Sequence, residues 1–290
     1  MRAAAPPPKL TISEWADRYR KLSPEASAEP GQWMTARAEY QRGIMDAICD
    51  AGVDSVVVMS SAQVGKTEVL NNAVGFYVSQ DPAPILILQP TLDMAETWSK
   101  DRLAPMVRDT PALRSMIADP RARDSGNTLL HKRFNGGHIT MVGANSASGL
   151  ASRPIRCVFA DEVDRYPSSA GTEGDPVSLA VKRTTTFWNR KIVLLSTPTV
   201  KGASRIESAY LESDQRRFLV PCPDCGEEQR LVWSQVRWAE GEPSTAEYAC
   251  HECGSLWNDA QRWSAVRRGR WEASREFRGI AGFHLSELYS

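Results

Sequence analysis

An α/β fold, doubly wound about a mainly parallel sheet and carrying a small cysteine-bearing appendage, is what the 290 residues predict. Three observations lead there. Short continuous runs rich in β-branched residues recur along the chain, as in strands buried on both faces. Helix-compatible stretches alternate with these runs. Two Cys-x-x-Cys pairs then follow in a segment of different character. With 42% hydrophobic and 24% charged side chains, the composition is that of an ordinary globular protein with a sizeable core. The 35 basic and 35 acidic side chains cancel, so any contact with nucleic acid must come from a local patch rather than the overall charge.

Taken in order, residues 1–10 read as a flexible tail. Ile12, Trp15, Ala16, Tyr19 and Leu22 then repeat at helical spacing. Ser23–Gln32 is a Pro/Gly/Ser-rich connection, and Ala38–Asp50 forms a second helix, closed by Gly52. Strands are expected at Ser55–Met59, Ile85–Leu88, Ile139–Val142, Ile155–Ala160 and Ile192–Leu195, with helices near 66–79, 91–108, 176–188 and 202–212. After Phe218, cysteines, tryptophans and short strand-like pieces dominate to about residue 257. No apolar run approaches the roughly 18 residues needed to span a bilayer. Met1–Pro8 is not followed by the apolar core of a signal peptide, which points to a soluble intracellular protein.

The first strand runs directly into Ser60-Ser61-Ala62-Gln63-Val64-Gly65-Lys66-Thr67, and a helix follows. Apart from Ser60 in place of the first glycine, this is a phosphate-binding P-loop in its strand–loop–helix setting. Loop N–H groups and the helix N-terminus make an anion cradle. Gly65 lets the backbone approach phosphate oxygens, Lys66 charges the β/γ-phosphates, and Thr67 offers a hydroxyl to Mg²⁺. ATP is the expected ligand. Ser60 can take the turn provided its φ stays negative.

The fourth strand ends in Asp161-Glu162. An acid at such a strand end holds the hydrated Mg²⁺ of a P-loop NTPase, which suits Asp161, and Glu162 is placed to polarise the attacking water. Two adjacent buried acids need a cation between them. The fifth strand ends in Ser196-Thr197-Pro198-Thr199, on the ligand side of an open α/β sheet, where Thr197 can sense the γ-phosphate.

Cys222-x-x-Cys225 and Cys250-x-x-Cys253, 24 residues apart, suit a tetrahedral structural Zn²⁺. Pro223, Gly226 and Gly254 fit its turns, with Arg230–Trp233 and Ala246–Ala249 as strands of a zinc ribbon. Further on, Arg262, Arg267, Arg268, Arg270, Arg275 and Arg278 alternate with Trp263 and Trp271, either as a solvated face or as a surface for a DNA backbone.

Together, Ser61–Thr67, Gln89-Pro90-Thr91, Ser148-Gly149-Leu150 before Asp161-Glu162, and Leu195–Thr199 resemble the large terminase subunit of tailed bacteriophages, the lambda-like branch most of all. Ser13–Asp17 and Cys222–Gly226 are similar to that branch as well. The resemblance covers residues 11–290 and rests on the order and spacing of the motifs. It implies an ATP-driven motor that moves double-stranded DNA into a procapsid in the host cytoplasm. The small terminase subunit, the portal and further copies of the chain are its implied partners. It also implies a nuclease domain after the ATPase part; no acid cluster able to hold two nuclease metals follows the cysteines, so a fragment or split protein without the nuclease is expected. The expected organisation is a tail and helical segment (1–37), a P-loop ATPase domain (38–217), a zinc-ribbon insertion (218–257) and the remainder of the ATPase part (258–290). Gln41 resembles an adenine-reading glutamine. Terminases of other branches carry an arginine where this chain has Ala62, so Arg153, Arg156 or an arginine of a neighbouring subunit is expected to serve the transition state. A helicase-like or repair translocase, and a non-catalytic DNA-binding adaptor with a degenerate P-loop, are the rival readings; intact Lys66, Thr67, Asp161 and Glu162 speak against the adaptor.

Overall fold

The computed structural model describes residues 9–25, 27–118, 126–151 and 153–290. The expected N-terminal tail lies outside the described residues up to residue 8. Helix α1 (Ile12–Tyr19) starts in a capping box: the Thr11 hydroxyl accepts from the Glu14 N–H, and the Glu14 carboxylate accepts from the Thr11 N–H. A small antiparallel pair, β1 (Lys21–Leu22) and β2 (Gly31–Gln32), leads to α2 (Tyr40–Cys49). Then come β3 (Ser55–Ser60), α3 (Lys66–Ser79) and β4 (Pro84–Gln89), a β-α-β unit within a residue of the expected bounds.

The single helix expected over 91–108 is instead α4 (Leu92–Trp98), a π-helical turn at Ser99–Leu103, and α5 (Ala104–Asp109). Pro105 has no N–H for the Asp101 carbonyl, and the helix widens where that bond is lost. Next are α6 (Pro111–Arg114), the antiparallel hairpin β5 (His131–Phe134) and β6 (Gly137–Gly143), α7 (Ala147–Ala151) and β7 (Cys157–Asp161). Helix α8 (Pro176–Lys182), shorter than expected, precedes β8 (Lys191–Ser196), α9 (Arg205–Leu211) and β9 (Arg216–Pro221). The chain continues through β10 (Glu228–Gln229), β11 (Val236–Ala239), β12 (Glu242–Ala249), β13 (Leu256–Trp257), α10 (Asp259–Arg267), β14 (Arg270–Glu272) and β15 (Ile280–Leu285).

Ten strands form one sheet in the order β10-β9-β15-β3-β8-β7-β4-β6-β5, with β14 also on β9. From β9 to β6 all neighbours are parallel; β5, β10 and β14 are antiparallel additions at the margins. Helices cover both faces, as a buried parallel sheet requires. One face packs Trp15, Ile48, Leu70 and Tyr77 against Val56, Val58 and Phe159. The other packs Ile206, Tyr210 and Leu179 against Val57, Leu86 and Val158.

Two expectations change. Residues 218–221 belong to β9 in the large sheet, so the separate small sheet holds only β11, β12 and β13. Arg230–Trp233 is not a strand. Its backbone N–H groups are taken by side chains instead: Leu231 donates to the Tyr289 hydroxyl (2.9 Å) and Val232 to the Tyr248 hydroxyl (3.3 Å). Among the described residues no helix is long and apolar enough to cross a membrane.

Candidate active site

Strand β3 lies mid-sheet between β15 and β8 and ends at buried Ser60, whose φ is not positive. The following loop bends at Gln63 (φ 63°) and Gly65 (φ 77°), both left-handed, and Gly65 caps α3. At Gly65 the backbone favours glycine. The left-handed φ disfavours a side chain, and an added Cβ would collide with the Gln41 amide nitrogen. Gln41 is 4% exposed, and its amide donates to the Val64 carbonyl (3.2 Å), which also accepts from the Tyr40 hydroxyl (3.3 Å). The side chain expected to read adenine thus braces the phosphate loop through its amide nitrogen, while its carbonyl oxygen is buried without a hydrogen-bond partner.

The strand ends beside β3 bring the other expected residues together. Lys66 Nζ lies 3.1 Å from Glu162 Oε1, at the end of β7, and 3.0 Å from Thr197 Oγ1, at the end of β8. Glu162 itself is left-handed (φ 55°), a conformation that is costly for a side-chain-bearing residue and concentrates at functional sites. Asp161 is 5% exposed, and its Oδ1 is buried without a hydrogen-bond partner. Burial first, and the neighbouring Glu162 carboxylate second, push its carboxyl up to about 6; Lys66 and Gln89 pull the other way. Asp161, Gln89 and Thr67 line one cavity of about 750 Å³, whose far wall is the π-helical turn with Lys100, Asp101 and Arg102. A buried carboxylate oxygen without a hydrogen-bond partner and a threonine hydroxyl, on residues that line one cavity, are hard-oxygen donors, which fits Mg²⁺.

Sequence reading missed the residues that tie this site together. Asp164 accepts from the backbone N–H of Thr199 (2.9 Å) on one oxygen and of Ile206 (2.8 Å) on the other, while the Ser196 hydroxyl accepts from the Asp164 N–H (3.2 Å). The loop after β7, the loop after β8 and the start of α9 thus form one hydrogen-bonded unit next to Asp161 and Glu162. Arg165 is the arginine nearest Glu162 in this unit, at 3.8 Å and 64% exposed. Acids and arginines scattered along a loop carry no periodic signal that could have marked them.

The arginines favoured from sequence lie elsewhere. Arg156 precedes β7, and five residues of extended chain, about 16 Å, separate it from Asp161. Its guanidinium donates to Asp81 (2.8 Å) and sits 5.5 Å from the centre of the Tyr77 ring, a structural role at the opposite end of the strand. Exposed Arg153 acts electrostatically on His131 and His138, at the β5–β6 margin.

The four cysteine sulfurs converge, all within 4.8 Å of one another. Cys222–Cys253 and Cys225–Cys250 are 3.8 and 3.9 Å apart. Sulfurs 2.3 Å from a tetrahedral Zn²⁺ stand about 3.8 Å from each other, so the spacing fits that ion. The two knuckles are built alike: Gly226 donates to the Cys222 carbonyl and Gly254 to the Cys250 carbonyl, each at 3.1 Å with φ of 77° and 73°. His251 is outside the cluster, bonded to Gln229. Of the later arginines, Arg262, Arg270 and Arg278 pair with Asp259, Glu228 and Glu276, and Trp271 packs edge-on against Phe218 and Phe283, as in a solvated face over a core.

The chain is similar to known phage proteins. The family model for the phage terminase large subunit gpA, ATPase domain, matches residues 27–271. The large terminase subunit of Enterobacteria phage P21 is 30% identical over 279 residues, covering 91% of this chain and 43% of that protein. That of Escherichia phage lambda is 31% identical over 258 residues, covering 86% and 40%. The chain thus spans less than half the length of these relatives. Among solved structures, the large terminase ATPase domain of Thermus phage P74-26 aligns with a TM-score of 0.47 and 15% identity, over 85% of this chain and 79% of that one.

Proposed function

The chain belongs to the family of phage terminase large-subunit ATPase domains, and from that premise we propose that it hydrolyses ATP to drive viral DNA into a procapsid. The observation that carries this reading is the meeting of Lys66, Glu162 and Thr197 within about 3.1 Å across three strand ends, beside the buried carboxyl of Asp161.

The chemistry follows from the residues. The loop Ser60–Thr67 wraps the β- and γ-phosphates in backbone N–H groups at the N-terminus of α3, and Gln41 and Tyr40 brace it through Val64. Phosphate oxygens compete with Glu162 for the Lys66 ammonium. Release from Lys66 frees the Glu162 carboxylate to accept a proton from the attacking water. Thr67 and Asp161 would hold Mg²⁺, which would supply positive charge against the triphosphate. Thr197, 3.0 Å from Lys66, loses or gains that contact as the γ-phosphate comes and goes. Asp164 carries the change to Thr199 and α9 through its two backbone bonds. The remaining positive charge for the transition state comes from Arg165 or from an arginine of a neighbouring copy, and in the second case a homo-oligomer is the working form.

We assign a structural Zn²⁺ to Cys222, Cys225, Cys250 and Cys253, making the appended unit a zinc ribbon. Residues 258–290 are assigned to the ATPase part, in keeping with the pairing of β15 with β3. Double-stranded DNA, the small terminase subunit and the portal are the proposed partners, in the host cytoplasm.

The test is displacement of a triplex-forming third strand from a DNA duplex by the complete packaging complex that contains this chain. ATP-dependent displacement without separation of the duplex strands is the expected result. Separation of the duplex itself would favour a helicase-like translocase and overturn the proposal.

A further inference from the structure

The catalytic acids define which way a nucleotide lies on the phosphate loop. Glu162 and Thr197 mark the γ-phosphate end, on the side of β3 that faces β8 and β7. The nucleoside must leave the loop elsewhere. On the opposite flank β15 pairs with β3, and the Ser61 N–H donates to the Leu285 carbonyl (3.0 Å). There Ser61 lines a second cavity, of about 520 Å³, within the size range of small-molecule sites.

Two segments complete this cavity. Arg230, Leu231, Val232 and Trp233 come from the stretch joining the first cysteine pair to the small sheet, and His284 and Ser286–Tyr289 come from the end of β15 onward. Their chemistry is specific. Trp233 is 68% exposed, with its ring 6.0 Å from that of Trp238, so it offers a free aromatic face. The Ser286 hydroxyl is buried with no hydrogen-bond partner, a cost that a ligand atom can relieve. Burial first, then the Arg217 and Arg230 guanidinium groups, push His284 down to about 4, so its ring is neutral and can donate or accept a hydrogen bond. Exposed Arg230 brings a cation to the rim.

An aromatic face, an unpaired hydroxyl, a neutral imidazole and one guanidinium, next to a phosphate loop, match a nucleoside. We propose that this cavity seats the base and ribose of the bound nucleoside triphosphate, with Trp233 stacked on the base and Ser286 hydrogen-bonded to its edge. This rests on reading Ser60–Thr67 as the phosphate site. It adds residues of the cysteine-bearing segment to base recognition, beside the unpartnered Gln41 carbonyl oxygen. That segment is held in place by Gln229, whose amide donates to Cys250 Sγ (3.1 Å), and by Leu231, whose N–H donates to Tyr289.

The experiment is calorimetric titration of the full chain with MgATP and, in parallel, with magnesium tripolyphosphate, which has no nucleoside. Base–aromatic stacking predicts that Trp233→Ala weakens MgATP binding by about 5- to 150-fold and leaves tripolyphosphate affinity unchanged. Ser286→Ala is expected to weaken MgATP alone as well. Lys66→Ala should weaken both ligands. Unchanged MgATP affinity in Trp233→Ala would overturn the nucleoside assignment while leaving the phosphate site standing, and so would an equal loss for both ligands. Insensitivity of both ligands to Lys66→Ala would instead overturn the phosphate-site reading itself.

Discussion

Replacing Asp161 by asparagine should make the protein more stable and, at the same time, inactive. The carboxyl is 5% exposed, next to another acid, and one of its oxygens has no hydrogen-bond partner. Its pKa rises from 3.8 to about 6 on folding. The folded chain therefore binds this proton more tightly than the unfolded chain. Stability falls as pH rises from about 4 to about 6 and stays low above that. A gap of about two units corresponds to up to about 3 kcal/mol of lost stability at neutral pH. Asparagine has the same shape and no charge, so Asp161→Asn should recover up to about 3 kcal/mol at pH 8. Urea denaturation in EDTA, run at pH 4 to 8 on both proteins, measures the difference. The expected curve is near zero at pH 4 and grows to a plateau above pH 6. Added Mg²⁺ and nucleotide should stabilise the wild type more than the variant, because the carboxylate is the proposed ligand. A variant no more stable than wild type at pH 8 in EDTA would refute the argument that this carboxylate is held under strain for a cation.

Glu162→Gln should bind MgATP with near wild-type affinity and turn it over at least about 100-fold more slowly, the usual contribution of a positioned base; a normal single-turnover rate would place the base elsewhere. Metal analysis of freshly purified, reduced protein should find about one zinc per chain, and Cys222→Ser should lower that figure. Protein free of zinc under those conditions would remove the ribbon assignment.

The phosphate loop was legible in the sequence because all its determinants are local. A continuous apolar run, a loop with Gly65-Lys66-Thr67 and a helix follow one another, and α3 spans Lys66–Ser79 as expected. The strand ends at Asp161 and Thr197 were legible for the same reason. What failed depended on distance through space. Arg156 is only five residues from Asp161, but an extended strand carries it to the far end of the sheet. Strand β15 escaped notice because Ile280-Ala281-Gly282-Phe283-His284-Leu285 lacks the β-branched density of its neighbours. Gly282 is needed there: an added Cβ would run into the Ser213 hydroxyl. Hairpin β5–β6 had a local signal, the Asn135-Gly136 turn with Gly136 at φ 86°, which goes unread if only the apolar runs are followed. Leu231 and Val232 looked like strand residues, yet tyrosine hydroxyls from distant segments take their N–H groups.

Lys66 and the strand-end acids are proposed to form an ATP-hydrolysing site. Steady-state phosphate release from MgATP by the full chain with DNA, compared with Lys66→Ala at equal concentration, tests it most directly. The account predicts Mg²⁺-dependent turnover by the wild type and loss of it in the variant. Turnover that persists in Lys66→Ala would contradict it.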